Sequence, residues 1–190
     1  SGQDYIEINT THRCIYHGTA MPDELYSFEA SDSIEQLKDD ILKKTAQVQN
    51  FEFICSNVPS VAAVVDKNKR YVLYSRKFFS TQPDLALRYA MLAHEIGHHA
   101  NKHELKGEIP TESEEMEADE FVGYALCLTG VPAVLAEKVA AQLPLASGID
   151  SSDRRIDIMR GFMRAEASLR NAEHAAWFEE NVNEVIKNFP

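Results

Sequence analysis

The sequence predicts a mainly helical α+β domain, on three observations. The chain has 190 residues, of which 44% are hydrophobic and 26% charged, and these values are ordinary for one globular domain. The β-rich runs lie in the first half of the chain, and helical periodicity fills most of the remainder. A few strands followed by many helices are typical of the α+β class. We therefore predict an irregular N-terminal lead-in over residues 1–30, with room for one short strand, and a single domain over residues 31–190.

The first predicted elements of this domain are one helix and a small antiparallel sheet. From Ser33 onward the apolar residues recur three or four positions apart, with acidic residues early and Lys43-Lys44 late, as the helix dipole favours. This pattern predicts an amphipathic helix. Three β-rich runs follow, over residues 51–55, 61–65 and 71–74. The polar residues 66–69 suit a hairpin turn between the last two runs.

The second half of the chain is predicted to be helical throughout. Asp84 suits the N-cap of the first of these helices. Thr111 and Glu114 have the spacing of a capping box, and Gly130 stands where a C-terminal glycine cap is expected. Pro132 opens the next helix, and residues 143–149 are predicted as a loop. The predicted helices cover residues 85–98, 111–129, 132–142, 152–167 and 172–187.

The acidic composition excludes two classes of partner. The chain has 30 acidic and 19 basic side chains besides histidine, a net charge of −11, which repels nucleic-acid phosphates and anionic lipids. The longest stretch poor in charge, residues 121–136, is too short to cross a bilayer and contains Gly130 and Pro132. We therefore expect no nucleic-acid partner and no integral membrane segment.

The spacing of the cysteines matches no disulfide or metal-binding motif. Cys14, Cys55 and Cys127 are odd in number, far apart and without a C-x-x-C pair. The sequence therefore supports neither a disulfide framework nor a thiolate metal site, and it predicts free, buried thiols.

One motif carries chemistry. The sequence His94-Glu95-Ile96-Gly97-His98 matches H-E-x-x-H and lies inside a helical pattern. Four residues are just over one turn, so the two imidazoles stand on one face and can converge on one ion. The Glu95 carboxylate is displaced by about 100° around the axis, where it can reach a metal-bound water. The motif predicts a zinc site with Glu95 as its general base.

A third ligand is available on the next long helix. Catalytic zinc takes three protein ligands and leaves a fourth position open. Glu115 and Asp119 extend an apolar stripe that continues through Val122, and two carboxylates on a core-facing stripe need something to offset their desolvation. A metal for Glu115 and a histidine N–H for Asp119 would do so. We predict one Zn²⁺ per chain, held by His94, His98 and Glu115.

The remaining acidic and histidine side chains near the motif have simpler interpretations. A metzincin site is excluded, because Asn101 and Glu104 occupy the positions of its glycine and third histidine. His99 and His103 are rotated away from the ligand face, and we predict a solvated or structural role for them. The other acids of the second long helix are predicted to form a solvated face near its N-terminus: Glu112, Glu114, Glu117 and Glu120.

These residues resemble the gluzincin metalloendopeptidases of the family that includes the CAAX prenyl proteases, the HtpX-type membrane heat-shock proteases and their soluble periplasmic relatives. The resemblance rests on HEIGHH at residues 94–99, EMEAD at residues 115–119 and the hairpin segment 60–79. It implies a zincin-like domain with a small antiparallel sheet beside the active-site helix, and it makes Asp119 the partner of His94. The first strand of the hairpin is implied to be an edge along which peptide lies: Val61, Ala62, Ala63 and Val64.

A further segment, residues 149–161, lies where the family carries a His-Pro pair followed by an arginine. Arg155 is the preferred match to that arginine, and Arg154 is the alternative. Ile149-Asp150 replaces the His-Pro pair, so a family histidine associated with transition-state stabilisation has no match. The family's transmembrane segments are missing too, which favours its soluble branch and an exported bacterial protein.

The resemblance and the motif together predict a zinc metalloendopeptidase acting on peptides or unfolded proteins. Zinc lowers the pKa of its water, Glu95 takes the proton, and the hydroxide attacks a peptide carbonyl. Two alternatives stay open. The unmatched His-Pro segment allows a binding or chaperone-like module that keeps the zincin scaffold with little turnover, and a structural or regulatory zinc site is the other.

Overall fold

The computed structural model describes residues 3–16, 20–146 and 152–188. Within them the chain is a mainly helical α+β protein with a small sheet, which confirms the predicted class. The strands are β1 (Asp4–Ile6), β2 (Arg13–Ile15), β3 (Leu25–Ser27), β4 (Glu52–Cys55), β5 (Val61–Asp66) and β6 (Lys69–Tyr74). The helices are α1 (Asp32–Lys44), α2 (Arg76–Thr81), α3 (Leu85–Ala100), α4 (Glu112–Thr129), α5 (Ala133–Ala146) and α6 (Ser152–Lys187).

The main sheet has four strands in the order β2-β5-β6-β4. The predicted hairpin is present: β5 and β6 pair antiparallel, and Lys67 and Asn68 form the turn with φ angles of 49° and 66°. Positive φ at both central residues matches the right-handed twist of the two strands. β4 joins the other side of β6 in a parallel pairing that the sequence pattern does not specify.

The N-terminal lead-in differs from the prediction. The described residues among 1–30 form three strands, where at most one was predicted: β1 and β3 pair with each other, and β2 pairs antiparallel with β5. Strands of three residues are too short to show an alternating pattern. Because β2 covers β5, the strand Val61–Val64 is internal and not the open edge that the resemblance implied.

Helix α3 is the central element of the core. Asp84 caps it as predicted, accepting hydrogen bonds from the backbone N–H groups of Ala86 and Leu87 at 2.9 and 3.1 Å. From Tyr89 to His99 every residue is buried, because strands β5 and β6 and helices α1, α4 and α5 all pack against this helix. A helix that is buried all round fixes its polar side chains as firmly as its apolar ones.

Helices α4 and α6 pack so closely that glycines on each helix lie directly against the backbone of the other. The predicted capping box of Thr111 and Glu114 begins α4, and Gly130 ends it with a φ of 93°. A Cβ added to Gly161 would lie 1.8 Å from the carbonyl oxygen of Glu120, so only glycine allows this approach. Gly123 plays the same part from the α4 side, against Ile158.

The short helix α2 was not predicted, and the bounds of three further helices differ clearly from the prediction. α6 is one helix of 36 residues and not two, because residues 168–171 contain neither proline nor glycine to interrupt it. α5 continues to Ala146, and the rest of the predicted 143–149 loop lies outside the described residues. α1 ends at Lys44, since Ala46 has a φ of 54°. No helix in the described part of the chain is long and apolar enough to span a membrane.

Candidate metal centre

Two neighbouring helices bring the three predicted ligands together. Oε1 of Glu115, on α4, lies 3.3 Å from Nε2 of His94 and 3.1 Å from Nε2 of His98, both on α3. Gly97 permits the close approach, because a Cβ there would meet the Cβ of Phe121 on α4 at 2.9 Å. Both imidazoles are buried, whereas the Glu115 side chain keeps about a quarter of its surface exposed.

A fourth donor completes the group. Sγ of Cys14, on β2, lies 3.7 Å from Nε2 of His94 and 3.6 Å from Oε1 of Glu115. The four donor atoms lie within 4.8 Å of one another, so Cys14, His94, His98 and Glu115 could hold a metal ion. The three cysteines are free and buried as predicted. Cys14 nevertheless belongs to the donor group, although the cysteine spacing gave no support for a thiolate metal site. Cys14 lies 80 residues before His94, so no local spacing could indicate it.

Four contacts among the donors are close to the spacing around a tetrahedral ion. Zinc binds imidazole nitrogen and carboxylate oxygen at about 2.0–2.2 Å and thiolate sulfur at about 2.3 Å, which places neighbouring donors about 3.3–3.6 Å apart. The contacts made by Glu115 and Cys14, from 3.1 to 3.7 Å, lie near these values, and the donor atoms of the whole group lie within 4.8 Å of one another. Among the described residues, Nε2 of His98 has no hydrogen-bond partner although the side chain is fully buried. A metal ion bound to this nitrogen would account for the missing hydrogen-bond partner.

The imidazole of His94 is oriented by a buried ion pair. Oδ1 of Asp119 accepts from its Nδ1–H at 2.9 Å, which leaves Nε2 free to face the other donors. Arg154, on α6, donates to both oxygens of the same carboxylate, at 2.8 and 3.1 Å. Burial raises the pKa of Asp119, but His94 and Arg154 outweigh it and hold that pKa below its usual value. The structure therefore places Asp119 where the sequence analysis expected it.

The arginine at this site is Arg154 and not Arg155, the preferred match. Arg155 is exposed, whereas Arg154 is buried on the same face of α6 as Ile158, Phe162 and Ala165. Because Arg154 and these apolar residues follow one another three or four positions apart, Arg154 shares their buried face of α6, whereas Arg155 does not. Ile149 and Asp150, which replace the family's His-Pro, lie outside the described residues.

The imidazole of His98 is oriented by a second histidine. Its Nδ1 lies 2.9 Å from Nδ1 of His103, and Nε2 of His103 lies 3.2 Å from Oε2 of Glu117. One proton arrangement satisfies this chain: His103 donates to Glu117 and accepts from His98, whose Nε2 then keeps its lone pair. Glu117 was predicted to be only solvated, and the contact was missed because α3 ends at Ala100 and the chain then turns back.

The predicted general base lies beside the donors. Glu95 is fully buried, its Oε2 accepts from the backbone N–H of Ala63 at 3.1 Å, and its Oε1 lies 3.5 Å from Sγ of Cys14. Burial raises the pKa of this carboxyl to about 8, and Glu115 acts in the same direction. Of the strand residues singled out, Ala63 contacts the site, while Val61, Ala62 and Val64 are fully buried in the sheet.

His99 has a structural role. Its Nε2–H donates to the carbonyl of Tyr71 at 2.8 Å, its Nδ1 accepts from Arg70 at 3.1 Å, and its ring stacks on Phe51. Burial lowers the pKa of this imidazole to about 3, so it stays neutral and ties α3 to β6.

Comparison with known proteins adds no relative. No protein-family model, no curated protein and no solved structure matches this chain.

Proposed function

We propose that the chain is a zinc-dependent peptidase of the gluzincin type, with His94, His98 and Glu115 as the metal ligands. One observation carries the proposal: the donor atoms of these three side chains converge while the buried Glu95 carboxylate lies beside them without being one of the group. Three protein ligands and an adjacent carboxylate are the composition of a hydrolytic zinc site. The donor set of imidazole, carboxylate and thiol favours zinc over magnesium or calcium.

Each side chain has a distinct task in the proposed mechanism. Zinc held by His94, His98 and Glu115 would supply Lewis acidity and would lower the pKa of a water bound beside them. Glu95 takes a proton from the attacking water through Oε1 and passes it to the leaving amine, while the backbone N–H of Ala63 holds Oε2 in place. Asp119 and Arg154 fix the His94 tautomer, as His103 does for His98.

The test combines metal analysis with cleavage of an unfolded protein panel. The purified chain should contain one zinc, and Glu115→Ala should lose it. Glu95→Gln should keep the zinc but cleave at least about 100-fold more slowly, since general-base catalysis contributes roughly 10²–10⁴-fold. Because Cys14 lies against the site, both cleavage assays are repeated in a Cys14→Ala background. A metal-free native chain, or unchanged cleavage by Glu95→Gln, contradicts the proposal.

A second candidate is a closed zinc site without turnover. Four protein ligands are the composition of structural zinc, and Cys14 supplies the fourth donor. In that case the chain is a binding module that keeps the scaffold. Stoichiometric zinc with no cleavage by either the native chain or Cys14→Ala would favour this candidate over the peptidase.

A further inference from the structure

Strand β2 lies where an extended substrate was expected to lie. It pairs antiparallel with β5, with Cys14 opposite Ala63. The pairing continues past both ends of β2: Tyr16 N–H donates to Val61 O at 3.0 Å, and Val65 N–H donates to His12 O at 3.0 Å. A peptide that adds to a sheet uses these same main-chain groups. While β2 is in place, β5 has no free edge for substrate.

The same strand carries a thiol into the metal centre. Sγ of Cys14 lies 3.7 Å from Nε2 of His94, 3.6 Å from Oε1 of Glu115 and 3.5 Å from Oε1 of Glu95. The side chain is 3% exposed, so this position is closed to solvent. The sulfur thus contacts two of the proposed ligands and the proposed base. It occupies the position between them that an attacking water would need.

The unpartnered nitrogen of His98 is an independent sign that these groups surround an ion. The imidazole is fully buried, and Nε2 has no hydrogen-bond partner among the described residues. It faces the same carboxylate oxygen that Cys14 contacts, at 3.1 Å. Thiol, imidazoles and carboxylate therefore share one centre.

We propose that β2 keeps the peptidase latent, with the Cys14 thiolate as a fourth metal ligand and the strand itself lying in the substrate groove. This inference rests on the proposed function. Ligation would replace the S–H bond of Cys14 by a sulfur–metal bond, and Oε1 of Glu95 would accept the released proton. Because Cys14 is the middle residue of β2, one displacement of the strand frees the fourth position and the β5 edge together.

The ligand is tested by cobalt substitution, which needs no activity. Co²⁺ bound to the unaltered chain should show a sulfur-to-cobalt charge-transfer absorption, as thiolate ligands do. Cys14→Ala should bind Co²⁺ without this band, whereas the matched control Cys127→Ala should keep it, because Cys127 lies on α4 away from the proposed donors. A cobalt complex of the unaltered chain that lacks the band overturns the inference, however the variants fold.

Latency is tested by cleavage of the same unfolded protein panel. Cys14→Ala should cleave at least about tenfold faster than the unaltered chain, because it frees the fourth position and also removes the sulfur–metal bond that keeps β2 in the groove, so a larger fraction of chains is open to substrate. Cys127→Ala should cleave at the unaltered rate, and Cys14→Ala/Glu95→Gln should be inactive. Equal cleavage by the unaltered chain and Cys14→Ala overturns latency and leaves the peptidase proposal standing. Cobalt binding with no cleavage by any variant overturns the peptidase proposal, and latency with it.

Discussion

The two imidazoles of the metal centre are oriented in different ways. Asp119 and Arg154 hold His94, and we call this pair the buried arm, since their side chains are 0% and 9% exposed. His103 and Glu117 hold His98, and we call them the open arm, since the Glu117 side chain is 42% exposed. Each arm aims the Nε2 of its imidazole at the same carboxylate oxygen.

The arms also differ in how they are built. The buried arm joins α4 to α6 through a charged pair, and the burial of both side chains leaves little access for water to replace a lost carboxylate. The open arm is local: His103 follows His98 by five residues, and its N–H donates to the His98 carbonyl at 2.9 Å. We therefore expect damage to the buried arm to lower both stability and metal affinity, and damage to the open arm to lower mainly metal affinity.

Asp119→Ala should have the largest effect. Removing the carboxylate takes a buried counter-charge away from Arg154, and breaking such a pair costs about 3–5 kcal/mol of unfolding free energy. Urea unfolding with a chelator present measures this cost without the metal. The matched control is Glu112→Ala, an exposed acid in the first turn of the same helix, which should cost less than about 1 kcal/mol. Equal urea midpoints for Asp119→Ala and Glu112→Ala would contradict the assignment of a buried arm.

Gly161→Ala should damage the buried arm without changing any of its residues. A Cβ at this position lies 1.8 Å from the Glu120 carbonyl, so α4 and α6 must move apart, and overpacking of this kind costs about 1–3 kcal/mol. Zinc affinity should fall with stability, because Arg154 moves away from Asp119 as the helices separate. Ser168→Ala, on the exposed part of α6, is the control and should change neither quantity. Unchanged zinc affinity in a destabilised Gly161→Ala would show that the arms are independent of helix packing.

The same contrast explains how much the sequence could predict. The H-E-x-x-H motif, the position of Glu115 beside it and the Asp119 contact follow from helical spacing, because each lies on a helix whose capping residues can also be predicted from the sequence. The preferred arginine, Arg155, was one residue out and the alternative, Arg154, is the one at the site, since the register of α6 depends on apolar packing against α4. Cys14 and His103 were missed as site residues: a three-residue strand and a turn after Ala100 bring them in, and neither leaves a periodic pattern.

His103→Ala should weaken zinc binding by about 10–100-fold, because His98 loses the partner that fixes its tautomer. Stability of the metal-free chain should fall less than in Asp119→Ala, since no buried charge is left unpaired. Competition with a chromophoric chelator measures the affinity. His174→Ala, an exposed histidine on α6, is the control and should bind zinc normally. Loss of metal-free stability equal to that of Asp119→Ala would remove the distinction between the arms.

Glu117→Gln should have the smallest effect of the series. A glutamine oxygen still accepts from Nε2–H of His103, so the change removes only the negative charge of a half-exposed carboxylate. Solvent and salt screen such a pair to about 0.2–1 kcal/mol, which corresponds to at most about a fivefold loss of zinc affinity. The loss should shrink further at high salt, whereas the effect of Asp119→Ala should not, since its charges are buried.

Glu112→Gln controls for the change in net charge. If Glu117→Gln instead loses as much affinity as His103→Ala at every salt concentration, the open arm depends on that charge, and exposure does not set the strength of the two arms.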